Sequence, residues 1–174
     1  MGKAETSAIE LAAYIRKSYI DNQKDIKNRE ISPIKLQKSL YFLFAYWGVY
    51  VRSNRNNKDS VEVDYSNYQD YLFNDDIQAW TYGPVIPEVY KAQKDNDTKL
   101  KNVKSNYLGD KIVLKEFIDG LLPQLFEIDD FGLVRISHED DCWKKNYKLQ
   151  DIKHNRVIDK EDIINEYITK AFQH

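Results

Sequence analysis

The sequence predicts a mainly α-helical fold: a single compact helical domain with a small β element around one Gly-Pro turn. Three observations carry that prediction. Apolar residues recur at spacings of three and four along four separate segments, the period of a helix with one buried face. Helix breakers are scarce, with 6 glycines and 4 prolines in 174 residues, so long helices can run uninterrupted. The pattern turns to alternation at residues 77–81, directly ahead of Gly83-Pro84. The length suits one domain with a real core, and no repeat, low-complexity tract or Gly/Ser linker divides it. The domain is expected to span residues 7–172 behind a flexible N-terminal stretch, 1–6.

Ser7 and Glu10 have the spacing of a capping box, so a helix should start there. Ala8, Leu11, Ala12, Ile15 and Tyr19 fall on one of its faces, and it should run to about Asn22. Residues 21–30 are polar and read as a loop. Ser32-Pro33 opens the second helix, with serine as N-cap and proline where its missing N–H costs nothing. Leu36, Leu40, Leu43, Phe44, Trp47 and Val51 follow at spacings of three and four. This should be the central core helix. Residues 52–60 hold three asparagines and four charged residues and read as an exposed loop. Residues 61–65 alternate and could form a strand that pairs with residues 77–81.

Residues 77–90 are the most informative part of the chain. Ile77 and Ala79 alternate with Gln78, Trp80 and Tyr82 as in a short strand. Tyr82-Gly83-Pro84 then breaks the pattern, because proline fixes φ and biases the residue before it away from the helical region. Pro84 could be cis or trans. Pro87 suits the first turn of a new helix, and Glu88 complements its dipole. The expected order is strand, rigid turn, helix. Two roles are open to Trp80 and Tyr82: filling the core, or anchoring a partner from a rigid platform.

Residues 91–106 are rich in Lys, Asn and Asp and read as solvated loop or helix end. Asp110 should cap a third long helix with the stripe Leu114, Phe117, Ile118, Leu121 and Leu125. Gly120 and Pro123 interrupt it, so it should kink or split. Residues 131–136 could be helical or irregular. Asp159 should cap the last helix, whose apolar face is Ile163, Ile164, Tyr167, Ile168 and Phe172.

Several function classes lose support. The net charge of −2 supplies no global basic field for nucleic acid, and acids intersperse the locally basic residues 91–115. No apolar run approaches the ~20 residues that span a membrane. The single cysteine, Cys142, rules out an intrachain disulfide and fits a reducing cytoplasm. His138, Cys142 and His154 lack any metal-site spacing, and no phosphate-binding glycine loop is present, so no metal and no cofactor is expected. His138 and Cys142 are four apart and could meet on a helix face, but no oxyanion site accompanies them. The alternative is that Ser137 or Asp141 caps a helix, His138 makes a structural hydrogen bond and Trp143 packs. No catalytic residue is assigned. What remains is a protein surface, since aromatic excess marks interfaces as well as cores.

Three stretches carry a family resemblance. They are the run Lys35-Leu36-Gln37-Lys38-Ser39-Leu40-Tyr41-Phe42, the run Ala79-Trp80-Thr81-Tyr82-Gly83-Pro84-Val85-Ile86-Pro87-Glu88-Val89-Tyr90, and the set Leu133, Ser137, His138 and Trp143. Together they resemble the Panacea domain, a family also called SocA-like and described as phage-associated. Its members show a K-L-Q-K-L-L-Y-like helix, then an A-W-x-x-G-P-V-x-P-x-x-Y turn, then an L-x-x-x-S-H-x-x-x-x-W-like stretch. The resemblance runs from about Ile9 to Phe172. Ser39 departs from it, standing where the family has an apolar residue. The resemblance implies an antitoxin of a bacterial or prophage toxin–antitoxin pair that masks a co-encoded toxin protein by direct binding. It also implies a second mode, an adaptor that delivers the toxin to a protease. Candidate partner-binding residues are Trp80, Tyr82, Gly83, Pro84, Lys35, Gln37 and Trp143. The rival classes are a Cys/His hydrolase, which should need Cys142, and a DNA-binding regulator, whose affinity should fall steeply with salt. The oligomeric state stays open.

Overall fold

A computed structural model describes residues 3–23, 29–55, 64–149 and 155–173. Helix α1 (Ala8–Asp21) opens as its capping pattern dictates, with the Ser7 hydroxyl accepting the Glu10 amide at 3.2 Å. Ala8, Leu11, Ala12 and Ile15 are buried, and Tyr19 packs partly buried against them. Helix α2 (Pro33–Arg55) starts on Ser32, whose hydroxyl accepts the Lys35 amide at 3.0 Å. Its expected stripe, Leu36 to Val51, is buried throughout. So are Lys35, Gln37, Lys38 and Ser39, because the later helices and the hairpin close over α2 from its other sides. The helix is therefore central, as expected. It also runs into the stretch expected as loop, through Arg55. Its last turn is anchored: Arg52 pairs with Asp70 at 2.9 Å and Glu161 at 2.6 Å, and Arg55 with Asp70 at 2.5 Å. Charges that look like loop composition are here ion pairs.

Residues 56–63 lie outside the described residues, and with them most of the strand expected at 61–65. Its last residue, Tyr65, belongs to a 3-10 turn (Tyr65–Asn67) capped by the Asp64 side chain. The sheet is instead a hairpin of β1 (Gln78–Trp80) and β2 (Gly83–Val85), antiparallel, with Gln78 facing Val85, Ala79 facing Pro84 and Trp80 facing Gly83. Thr81-Tyr82 is the turn, so Gly83-Pro84 is the returning strand rather than the turn itself. Proline is tolerated there because β2 is an edge strand with no ladder donor to lose. The Pro84 peptide bond is trans. On the other edge of β1, the Ala79 amide donates to Arg156 O at 2.9 Å and the Ile158 amide to Ile77 O at 2.7 Å.

Helix α3 (Pro87–Lys94) has proline at its start and Glu88 in its first turn, as the sequence predicts. Helix α4 (Ile112–Glu127) begins after Lys111, not after a side-chain cap from Asp110. Leu108 and Gly109 have φ of +67° and +49°, and this turn leaves Asp110 offering its backbone carbonyl to the Ile112 amide at 2.8 Å. α4 also crosses Gly120 and Pro123 as one element. Proline removes one donor, and the burial of Leu114, Ile118, Leu122 and Leu125 holds the helix on either side of it. Residues 131–136 are helical, within α5 (Asp130–His138), whose N-cap Asp129 accepts the Gly132 amide at 2.6 Å. Helix α6 (Asp141–Leu149) follows after a two-residue break. Helix α7 (Lys160–Ala171) is capped by Asp159 and buries Ile163, Ile164 and Tyr167. Phe172 lies past its end and is exposed, because the apolar period outlasts the helix there.

Candidate protein-binding site

The hairpin projects Trp80 and Tyr82 and is fixed from three sides. From α2, the Gln37 amide grips the Ile86 backbone twice: Oε1 accepts the amide at 2.7 Å and Nε2 donates to the carbonyl at 3.2 Å. One residue on, Lys38 Nζ donates to Pro84 O at 3.0 Å. From α5 and α6, the Trp143 indole donates to Trp80 O at 2.8 Å and His138 Nε2 to Thr81 O at 3.1 Å. The His138 and Trp143 rings stack at 4.1 Å, and Tyr147 continues the stack on Trp143 at 4.8 Å. From α3, Tyr90 meets the Trp80 ring edge-on at 4.9 Å. The hairpin is held rigid, which lowers the ordering cost of any contact it makes.

Gly83 is where that rigidity needs a missing side chain. Its φ is +107°, which side chains rarely adopt. A Cβ there would lie 2.5 Å from Ser137 Oγ and 3.0 Å from Lys38 Cε. The bare backbone lets β2 press against α2 and α5 at once.

The structure separates the sequence-derived candidates by environment. Tyr82 is 58% exposed at the hairpin tip, and Trp80 is half-buried. Gly83, Pro84, Gln37 and Trp143 are buried behind them and position the hairpin. Lys35 is buried elsewhere on α2, where Nζ donates to the carbonyls of Phe126, at 3.0 Å, and Ile128 at the end of α4. A cation there complements the helix terminus. Gln37, Lys38, Trp80 and Tyr82 share a cavity of about 350 Å³ with Pro33, Ile34, Thr81, Val85, Tyr90 and Asn155. Sequence reasoning did not assign Lys38 or Tyr90 to a site. The signal available was a polar Gln37-Lys38-Ser39 run inside an otherwise apolar core helix.

The Cys142 and His138 side chains do not form a nucleophile–base pair. His138 Nε2 is spent on Thr81. Burial, with the Lys38 charge adding, holds its imidazole below the usual range despite that bond. Cys142 is buried with Sγ 3.6 Å from Tyr41 Oη. Burial pushes its thiol up against the lowering effect of the Tyr41 hydrogen bond, and the Glu166 and Asp140 carboxylates push it further. Thiolate is thus disfavoured. Asp140 itself is a buried junction accepting Tyr41 at 2.5 Å, Tyr167 at 2.6 Å and Lys170 at 2.5 Å. Glu166 caps α6 by accepting the Asp141 and Cys142 amides, each at 2.8 Å, while Ser137 bonds back to Val134 O within α5. Among the described residues no group of three potential metal ligands converges; His154 lies outside them.

Comparison with the curated proteins and with the solved structures returned no match. A family model does match, and it supports a toxin–antitoxin role in general. The match takes in the hairpin with its Gly83-Pro84 strand and the Ser137-His138…Trp143 backing, while the Lys35–Phe42 helix motif precedes it. Over residues 62–144 the chain matches the family described as antitoxin SocA-like, Panacea domain.

Proposed function

We propose that this chain is the antitoxin of a bacterial or prophage toxin–antitoxin pair and neutralises a co-encoded toxin protein by binding it directly. The observation that carries the reading is the family match over the segment that builds the hairpin. The geometry supports it. Tyr82 at 58% exposure and Tyr90 at 40% flank a half-buried Trp80 on a backbone pinned from three sides. Rigid aromatics of this kind are the common anchors of protein interfaces. In this reading Trp80 and Tyr82 touch the toxin. Gly83, Pro84, Gln37 and Trp143 hold them in place, and Lys35 ties α2 to α4 beneath. The working unit is residues 7–172, since α1, α2 and α7 complete the core on which the matched segment rests. Among the described residues no helix is long and apolar enough to cross a membrane, and a lone buried cysteine, which stays reduced in the cytoplasm, supports an encounter there.

Co-expression with the adjacent open reading frame tests the proposal. Growth arrest by the neighbour alone, relieved by this chain, is the expected result. A harmless neighbour, or arrest that persists beside soluble chain, removes the antitoxin reading.

A further inference from the structure

We propose that the cavity between the hairpin and the start of α2 accepts a carboxylate side chain from the protein partner, seated against Trp80, Tyr82 and Tyr90 with Lys38 as its counter-ion. This rests on the hairpin being the partner-binding face.

Lys38 is the observation that demands an occupant. It is 1% exposed, yet its one hydrogen-bond partner among the described residues is the Pro84 carbonyl, and no carboxylate there lies within ion-pair distance. An ammonium has three donors, so two are left over. The other buried charges among the described residues are compensated: Asp140 holds Lys170 at 2.5 Å, and Lys35 holds two carbonyls with Asp130 at 3.8 Å. Lys38 breaks that rule, and it does so in the lining of an open cavity of about 350 Å³. Burial alone drives its amine down to about 7, with no acidic neighbour acting against it. The first turn of α2, a 23-residue helix, lines the same cavity through Pro33 and Ile34, and its positive end adds to the attraction.

The donor set selects the ligand. A phosphoryl group calls for several donors at once. Gln37 is committed to Ile86, and the other polar lining residues, Thr81 and Asn155, are neutral, so the one cation among the described lining residues is the Lys38 ammonium, a match for a single carboxylate. The apolar walls suit the methylene stem of a glutamate. Charge complementarity within an aromatic pocket would give the interface selectivity as well as grip.

The test uses N-acetyl-leucyl-glutamate amide as probe, its glutamine counterpart as control, and the full chain labelled with 13C-lysine. The glutamate peptide should bind at least about tenfold more tightly than the glutamine peptide and move the Lys38 Cε resonance. Lys38→Met should abolish the difference. Should that variant fail to fold, the glutamate-against-glutamine comparison on the wild type decides alone. Equal affinities, no Lys38 response or no binding of the glutamate peptide overturns the proposal. The co-encoded toxin then separates the two readings. If Tyr82→Ala weakens toxin binding and Lys38→Met does not, the carboxylate site is wrong and the docking face stands. If the wild type binds the glutamate peptide at Lys38 but does not bind the toxin, the docking face is wrong and the carboxylate site stands.

Discussion

Replacing Lys38 with methionine should stabilise the protein, and the gain should depend on pH in a defined direction. The amine falls from 10.5 in the unfolded chain to about 7 in the fold, with burial as the cause. That gap corresponds to roughly 5 kcal/mol at about 1.4 kcal/mol per pH unit. Below pH 7 both states carry the proton and the folded state bears the whole cost. Between pH 7 and 10.5 the unfolded chain still holds a proton that the folded chain has released, so wild-type stability rises with pH across that window. Above it both states are neutral and the penalty is gone. Methionine has the same straight stem and no charge, but it leaves the Pro84 carbonyl without its donor, a loss of about 1–2 kcal/mol. The net gain should be about 3 kcal/mol near pH 6, shrinking towards zero or reversing by about pH 10. Urea unfolding of both variants across this range measures it. His138 senses the Lys38 charge, but it should be neutral through most of the window and so cancels there. A Lys38→Met protein no more stable than wild type at low pH, or a difference flat with pH, would show that the buried amine is not the strained charge described.

Three further outcomes follow from the same geometry. Gly83→Val should cost about 2–4 kcal/mol in thermal or chemical melts, because φ +107° and the contacts with Ser137 and Lys38 leave no room; wild-type melting would refute the close approach. Ser39 is fully buried with an unpartnered hydroxyl among the described residues, so Ser39→Ala should raise stability by about 1 kcal/mol, and a loss would reveal a partner for it. Cys142→Ser should keep toxin neutralisation despite a stability loss of about 1–2 kcal/mol; a folded Cys142→Ser that binds toxin yet fails to neutralise would revive chemistry at the thiol.

What the sequence made legible was local. Ser7, Ser32 and Asp159 mark helix starts because a cap and the amide it accepts lie two or three residues apart. The α2 stripe was equally plain, since one face of a helix repeats in sequence. What failed depended on distant neighbours. The partner of β1 could be sought upstream or downstream, and the pairing with Gly83–Val85 was hidden because Gly-Pro reads as a turn. Charges at Arg52 and Arg55 suggested solvent, whereas Asp70 and Glu161 receive them. The candidate site was half visible: the motif singled out Trp80 and Tyr82, with core and partner-facing roles both open, and the crowding at Gly83 was expected from it. Lys38 was not visible, because nothing in a helical period says that a lysine will be covered by a hairpin 46 residues further on. Asp140 was hidden likewise, its donors Tyr41 and Tyr167 lying 99 and 27 residues away.

In the proposed function the chain works by presenting a rigid aromatic hairpin to a toxin. The most direct measurement is the affinity of the purified co-encoded toxin for wild type and Tyr82→Ala, with melting curves recorded in parallel. Tyr82 is exposed, so the variant should melt like wild type, while toxin affinity should fall by about 2 kcal/mol or more, some thirtyfold. A Tyr82→Ala protein that melts normally and binds the toxin as tightly as wild type would place the interface elsewhere and contradict the account.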